Sequence, residues 1–334
     1  MKIAINGFGR IGRNVFKIAL EKGVDVVAIN DLTDTKTLAH LLKYDSTQGK
    51  FEGKVDFDDE NLIVDGTKYK VCSETNPTEI PWGDAPDVVI ESTGVFRERE
   101  GKKGGYGDHL KNAKYPAKKV ILTVPAKDKI DNMIVLGVND GDINAGDECV
   151  SNSSCTTDCL APMVKVLDDV FGIEQGFMTT VHSYTNDQMT LDGPHKDLRR
   201  ARSAAVSTIP TTTGAAKAVG KVLPHLNGKL DGLAMRVPTP TGSITDFVAV
   251  LKKEATAEEV NAAMKKAAEG AMKGIMEYTE DQIVSVDIIH NTHSVIFDAD
   301  STMANGKMVK VLGWYDNEWG YSHRVVDLAK KLVG

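Results

Sequence analysis

Cysteine is scarce in this chain, with four residues in 334 (Cys72, Cys149, Cys155 and Cys159) at irregular spacings. That is too few and too uneven for a disulfide framework, so a reducing, cytoplasmic setting is expected. Long apolar runs are also missing: none reaches the roughly eighteen residues that a membrane span needs. Met1 to Asn6 goes straight into strand-like residues, without the apolar core of a signal peptide. Basic stretches are short, and the net charge is −7 from 40 Lys and Arg against 47 Asp and Glu. No nucleic-acid or anionic-membrane partner is therefore indicated. The densest cationic patch, Arg199-Arg200-Ala201-Arg202, suits one or two phosphates or a salt-bridged interface. Cys155 and Cys159 lie one helical turn apart, but no His or Cys nearby completes a metal site, so none is expected. Internal repeats and low-complexity linkers are absent. What remains is an ordinary globular composition, 41% apolar and 26% charged, on a chain long enough for two domains.

The first thirty residues read strand, glycine turn, helix, strand. Lys2 to Asn6 is the strand, Gly7-Phe8-Gly9-Arg10-Ile11-Gly12 the turn, Asn14 to Lys22 the helix and Val24 to Ile29 the second strand. An acid, Asp31, follows nineteen positions beyond Gly12. A lone G-x-G-x-x-G says little. In this context it is the fingerprint of a dinucleotide site. Gly7 makes the tight turn, Gly9 lets backbone approach a pyrophosphate, and Gly12 allows close helix packing. The helix start donates N–H groups to phosphate oxygens. Asp31 accepts from both ribose hydroxyls and repels a 2′-phosphate, which favours NAD over NADP. The plainer alternative is that these glycines only shape a βα turn.

Asp87 to Glu91 and Lys119 to Val124 are continuous apolar runs, as parallel strands buried on both faces should be. Between them, Arg97 to Pro116 is polar with a Gly101-to-Gly105 centre, and reads as a surface excursion. The expected class is α/β here: a doubly wound Rossmann domain over residues 1–152, with a C-terminal helix (318–334) packing back on it.

The grammar then changes. Ser151-Asn152-Ser153-Ser154-Cys155-Thr156-Thr157-Asp158 crowds cap-forming residues around one thiol, ahead of an apolar helical segment from Leu160 to Phe171. A cysteine in a first helical turn meets unpaired N–H groups and the positive end of the macrodipole. Both favour a nucleophilic thiolate. The rival reading is a small buried hydrophobe. Gln175 to His182 is strand-like and delivers His182. Asp187 to Pro210 is a long, charged excursion of the kind that is often functional or interfacial. A helix is expected from Thr211 to about Val222, and another from Ala257 to Ala271. Strands are expected at Leu233 to Val237, Ser243 to Leu251, Ser294 to Asp298 and Lys307 to Tyr315. The expected second domain, residues 153–317, is α+β with a mainly antiparallel sheet.

Taken together, these motifs resemble the phosphorylating glyceraldehyde-3-phosphate dehydrogenases of the bacterial, NAD-dependent, glycolytic kind, over essentially the whole chain. The matching stretches are Ile5 to Arg13, Asn30 to Asp34, Leu38 to Asp45, Glu91 to Gly94, Val181 to Gln188, Ile209 to Gly220, Arg236 to Pro240 and Trp314 to Gly320. The resemblance implies that Cys155 attacks the aldehyde and that His182 takes its proton, with the oxidised thioester released by inorganic phosphate. It implies one phosphate site at Thr185 and Arg236, and a second at Ser154, Thr156, Thr213, Gly214 and Arg200. Asn317, with Tyr321 nearby, would hold the nicotinamide. Arg10 and Ile11 would contact the pyrophosphate, and Thr123 would lie along the cofactor. It further implies a homotetramer, in which Arg199 to Ala205 reaches a neighbouring subunit.

Three departures stand out. Asp158 replaces the family's Asn in the cysteine motif, three positions from Cys155, where a carboxylate should disfavour the thiolate. Thr75 stands where many bacterial members have an Arg, and the Gly101-to-Tyr106 stretch is several residues longer than usual, with surface decoration the default. Three other readings compete with the leading one. They are an erythrose-4-phosphate dehydrogenase, a non-catalytic NAD-binding scaffold or surface protein, and a cysteine hydrolase. The hydrolase leaves the dinucleotide fingerprint unexplained.

Overall fold

The computed structural model describes every residue except Lys103. The chain forms two compact units. The first comprises Met1–Ile134, Gly141–Ser153 and Ser322–Gly334; the second comprises Val135–Asp140 and Ser154–Tyr321.

In the first unit the elements run β1 (Lys2–Asn6), α1 (Arg10–Glu21), β2 (Asp25–Asn30), α2 (Thr35–Lys43), β3 (Val55–Phe57), β4 (Asn61–Val64), β5 (Thr67–Cys72), β6 (Val88–Glu91), β7 (Lys119–Leu122), β8 (Asn132–Met133) and β9 (Cys149–Ser151). They build one nine-stranded sheet in the order β3-β4-β5-β2-β1-β6-β7-β9-β8. From β5 through to β8 every pairing is parallel. The chain starts in the middle at β1 and winds outward in both directions, so β1 and its neighbours end at a topological switch point. That is where such sheets hold ligands. α2 was not legible as a helix beforehand; Asp34 caps it by accepting from the Thr37 N–H at 2.9 Å.

The polar stretch between β6 and β7 is not a surface decoration. It forms a short 3-10 helix, Tyr106–Lys111, in which Tyr106 and His109 are both fully buried. Tyr106 joins Val120, Leu122 and Cys149 in a core cluster. Lone anchors in a polar segment leave no periodic signal, which is why composition misled there.

The second unit contains α3 (Cys155–Phe171), β10 (Ile173–Ser183), β11 (Ile209–Thr212), α4 (Ala215–Val222), β12 (Leu230–Val237), β13 (Ser243–Leu251), α5 (Ala257–Glu269), β14 (Met276–Thr279), β15 (Val295–Asn305) and β16 (Met308–Tyr315). Its seven-stranded sheet runs β11-β12-β10-β13-β16-β15-β14 and is mainly antiparallel; β10 with β12 and β14 with β15 are the parallel pairs. Burial alternates along β13, so one face packs against α3 and the other looks outward. The helix expected from Thr211 begins only at Ala215. Thr211 and Thr212 pair with Ala234 and Leu233 instead, because β-branched residues beside an open sheet edge favour the ladder. The last helix, α6, spans Trp319–Val333. Within the first unit its Asp327 pairs with Lys22. No helix among the described residues is long and apolar enough to cross a membrane.

Candidate active site

In the first unit, the C-terminal ends of β1, β2 and β6 carry Asn6, Asn30 and Glu91. They are linked side by side: Asn30 donates to Asn6 (2.8 Å) and Asn6 donates to Glu91 (2.6 Å). Glu91 also meets the buried His109 Nε2 at 2.9 Å. Above this polar floor opens a cleft of about 990 Å³, lined by Gly7, Gly9, Asp31 and Leu32 among others.

Each turn glycine has a geometric reason. Gly7 sits at φ 92°, and a Cβ there would lie 2.7 Å from the Thr93 nitrogen. A Cβ on Gly12 would fall 2.0 Å from the Gly7 carbonyl oxygen, so α1 packs on the turn only with glycine there. Gly9 is different: nothing lies within 4 Å of its Cβ position. Its bare backbone faces open space where a pyrophosphate would approach, so the cleft fits a dinucleotide. The Asp31 carboxylate is pinned by the N–H groups of Phe8 (2.8 Å) and Thr33 (3.0 Å), which fixes it at the end of β2.

Of the other residues expected along the cofactor, Arg10 and Ile11 open α1, but the Arg10 guanidinium is engaged by Asp45 (2.8 Å) and Thr47. Burial alone would raise the Asp45 acid. The N–H groups of Gln48 and Thr47, with Arg10, outweigh it and hold the carboxylate far below its usual range. Thr123 follows β7, buried, and donates to the Glu91 carbonyl at 3.2 Å; it does not line the cleft.

In the second unit, Cys155 is the first residue of α3. Ser154 is its N-cap, accepting from the Thr157 N–H at 3.2 Å. Ser153, just upstream, takes a positive φ of 59°, an uncommon conformation for a residue with a side chain. The Cys155 Sγ lies 3.5 Å from His182 Nε2, near the end of β10. On the far side of that ring, Nδ1 has two neighbours, the Ser183 carbonyl oxygen at 2.7 Å and Arg236 Nη1 at 2.7 Å. Arg236 also donates to the Ser183 carbonyl at 2.9 Å. The Ser183 carbonyl can only accept and calls for a proton on Nδ1, which leaves the Nε2 lone pair toward the thiol, the tautomer a base requires; Arg236 can only donate and favours the opposite tautomer.

Tyr315 at the end of β16 was not singled out from sequence, and it is central. Its hydroxyl sits 2.9 Å from Thr156 Oγ1 and 2.8 Å from Thr180 Oγ1. Its ring meets His182 edge-on, with centroids 5.9 Å apart. A tyrosine two positions before Asn317 offers no local signal; only the fold brings it to the thiol.

Burial opposes charge on both partners. It pushes the Cys155 thiol up, and Asp158 adds to that push, while Arg236 and the Thr156 hydroxyl and N–H pull it down. His182 is driven down by burial first and by Arg236 second. The arginine thus favours a thiolate and disfavours an imidazolium. Asp158, buried one turn along α3, works against a thiolate at Cys155. Removing its charge should lower the thiol pKa. In Asp158→Asn the midpoint of iodoacetamide alkylation against pH is expected to move down by about half to one unit. Superimposable profiles for the two proteins would refute a role for Asp158.

The remaining expected residues divide into groups. Thr185 and Arg236 follow or close strands β10 and β12, with Arg236 reaching His182 as described. Arg200 is held by Thr211 Oγ1 (2.8 Å), the Thr212 carbonyl (3.1 Å) and Asp187. Thr213 accepts from the Ala215 N–H (3.2 Å) and Gly214 caps α4. Thr156 spends its hydroxyl on Tyr315 and Ser154 on Thr157 (2.8 Å). Asn317 Oδ1 accepts from Gly242 N–H (3.2 Å) and Ser243 Oγ (2.9 Å), leaving its NH2 group to donate. Tyr321 is buried.

A doubly wound sheet with a carboxylate at the end of β2, and a capped cysteine beside a histidine, fit an NAD-dependent oxidoreductase. Residues 1–99 match the family described as glyceraldehyde 3-phosphate dehydrogenase, NAD binding domain, and residues 154–317 match its C-terminal domain. The chain is 64% identical to the glyceraldehyde-3-phosphate dehydrogenase of Borreliella burgdorferi, over all of both proteins. It is 58% identical to that of Geobacillus stearothermophilus, covering all of this chain and 98% of the relative. The Streptomyces coelicolor protein of the same name is also 58% identical, over 98% of this chain and 97% of the relative. This chain belongs to the glyceraldehyde-3-phosphate dehydrogenase family.

Proposed function

We propose that the chain oxidises glyceraldehyde 3-phosphate with NAD and inorganic phosphate to 1,3-bisphosphoglycerate, as a step of glycolysis. The observation that carries this is the capped Cys155 thiol 3.5 Å from His182 Nε2, with Arg236 behind the ring. NAD would be held by Gly7, Gly9, Arg10, Ile11, Gly12, Asp31, Asn317 and Tyr321 and would supply the hydride acceptor; Thr123, which does not line the cleft, drops out of that set. In this reading residues 1–152 with helix 318–334 form the NAD-binding domain, and 153–317 the catalytic one.

Nε2 of His182 takes the Sγ proton as the sulfur attacks the aldehyde carbon. Both ring nitrogens then carry protons, and the Ser183 carbonyl accepts the one on Nδ1. The Nε2 proton and the Cys155 backbone N–H stabilise the oxyanion. Oxidation of the hemithioacetal leaves a thioester on Sγ. Phosphate oxygen then attacks the acyl carbon, the C–S bond breaks, and the thiolate is restored. Thr185 and Arg236 would bind the substrate phosphate. The attacking phosphate would meet Ser154, Thr156, Thr213, Gly214 and Arg200, which offer hydroxyl, backbone N–H and guanidinium donors.

The expected result is NADH formation from glyceraldehyde 3-phosphate that requires added inorganic phosphate. Equal rates without phosphate, or a preference for erythrose 4-phosphate, would remove the assignment.

The second unit also supports a homotetramer. Phe177 (73% exposed) on β10, Leu233 on β12 and Met308 on β16 stand on the open sheet, and Leu198 (81%) projects from the 187–208 excursion. Light scattering should give four chain masses. Four unpaired thiols are consistent with a cytoplasmic setting.

A further inference from the structure

The dinucleotide cleft has an electrostatic imbalance. Among the described residues its lining includes three carboxylates, Asp31, Glu74 and Asp108, and one cation, Lys102. Each carboxylate is already engaged. Asp31 accepts from Phe8 and Thr33, Glu74 from the Thr75 and Asn76 N–H groups (2.7 and 3.2 Å), and Asp108 from the Gly105 N–H (2.8 Å). Lys102 is exposed and has no hydrogen bond or ion pair among the described residues.

The backbone that carries Lys102 is anchored at both ends. Upstream, Arg99 pairs with Asp131 (2.5 Å) and Glu148 (3.1 Å). Downstream, the buried Tyr106 donates its hydroxyl to Asp128 (2.8 Å). Gly104 takes a φ of 99°, and a Cβ on it would lie 3.0 Å from Pro77 and 3.2 Å from the Phe96 ring. That close approach seats the turn against the cleft wall on the side of Asp31 and Thr75, the adenosine end. A dinucleotide brings two phosphate charges into this space, where the other charged lining side chains among the described residues are negative.

We propose that Lys102 is a cofactor-binding residue whose ammonium group pairs with the phosphate on the adenosine half of the dinucleotide. The proposal rests on the reading of this cleft as the NAD site. It gives the polar segment between β6 and β7 a binding role.

Calorimetry on the full chain tests it with NAD, 5′-AMP and adenosine as separate ligands. In Lys102→Ala the dissociation constants for NAD and 5′-AMP are expected to rise about three- to tenfold at low salt. The gap to the parent protein should narrow at about 0.5 M salt, where exposed charges are screened. Adenosine, which has no phosphate, should bind both proteins equally, and Lys102→Arg should restore NAD affinity. Unchanged NAD affinity in Lys102→Ala overturns the proposal, as does an equal weakening of adenosine, which would mark a wall residue only. Failure of the parent protein itself to bind NAD would instead bring down the reading of the cleft.

Discussion

Cys155→Ser is expected to bind NAD like the parent protein and to lose phosphate-dependent NADH formation by about 10³-fold or more. In barrier terms that is about 4 kcal/mol or more. The substitution keeps the size and the helix start, so the fold should survive. What changes is the atom. A serine hydroxyl does not ionise near neutral pH, and neither the start of α3 nor Arg236 supplies enough positive potential to change that. An oxygen ester would also release its acyl group to phosphate less readily than a thioester. Purified variant protein, assayed for NADH at saturating aldehyde and phosphate, gives the answer. A Ser variant working within tenfold of the parent would mean that covalent attack by residue 155 is not the route.

His182→Asn should cost about 10²- to 10⁴-fold in kcat, the usual contribution of a positioned base, while leaving NAD affinity unchanged. Without an acceptor near Sγ, burial leaves the thiol protonated over a wider pH range. Alkylation of Cys155 at neutral pH should therefore slow, and its pH midpoint should rise. Asp158→Asn moves that midpoint in the opposite direction, so the two variants bracket the parent. A rate within tenfold together with an unshifted alkylation profile would show that the imidazole is a packing group.

Much of this site was legible before any fold was known. The glycine turn, Asp31 and the cap run before Cys155 are local patterns, each governed by neighbours a few positions away. β10, which carries His182 one residue before its end, shows itself by alternation along the strand. What escaped had non-local causes. Tyr315 reaches the thiol only because β13 and β16 pair in register, setting Ser243 opposite Tyr315. β3 to β5 are short, so alternation over three to six residues does not stand out. The segment from Arg97 to Pro116 was misjudged because its buried anchors are few and its cleft-lining glycines resemble a flexible loop.

The Tyr315 hydroxyl joins Thr156, beside Cys155, to Thr180, two positions before His182. Those residues lie on separate elements of the chain, and nothing in their own segments sets how far apart sulfur and nitrogen stand. A third element, β16, does so, acting as a spacer bar. Reactivity at Cys155 is therefore exposed to errors made far away in the sheet. A slip of β16 by one residue would turn Tyr315 to the other face and uncouple the pair. The chemistry of this thiol is calibrated by a strand that contributes no reacting atom.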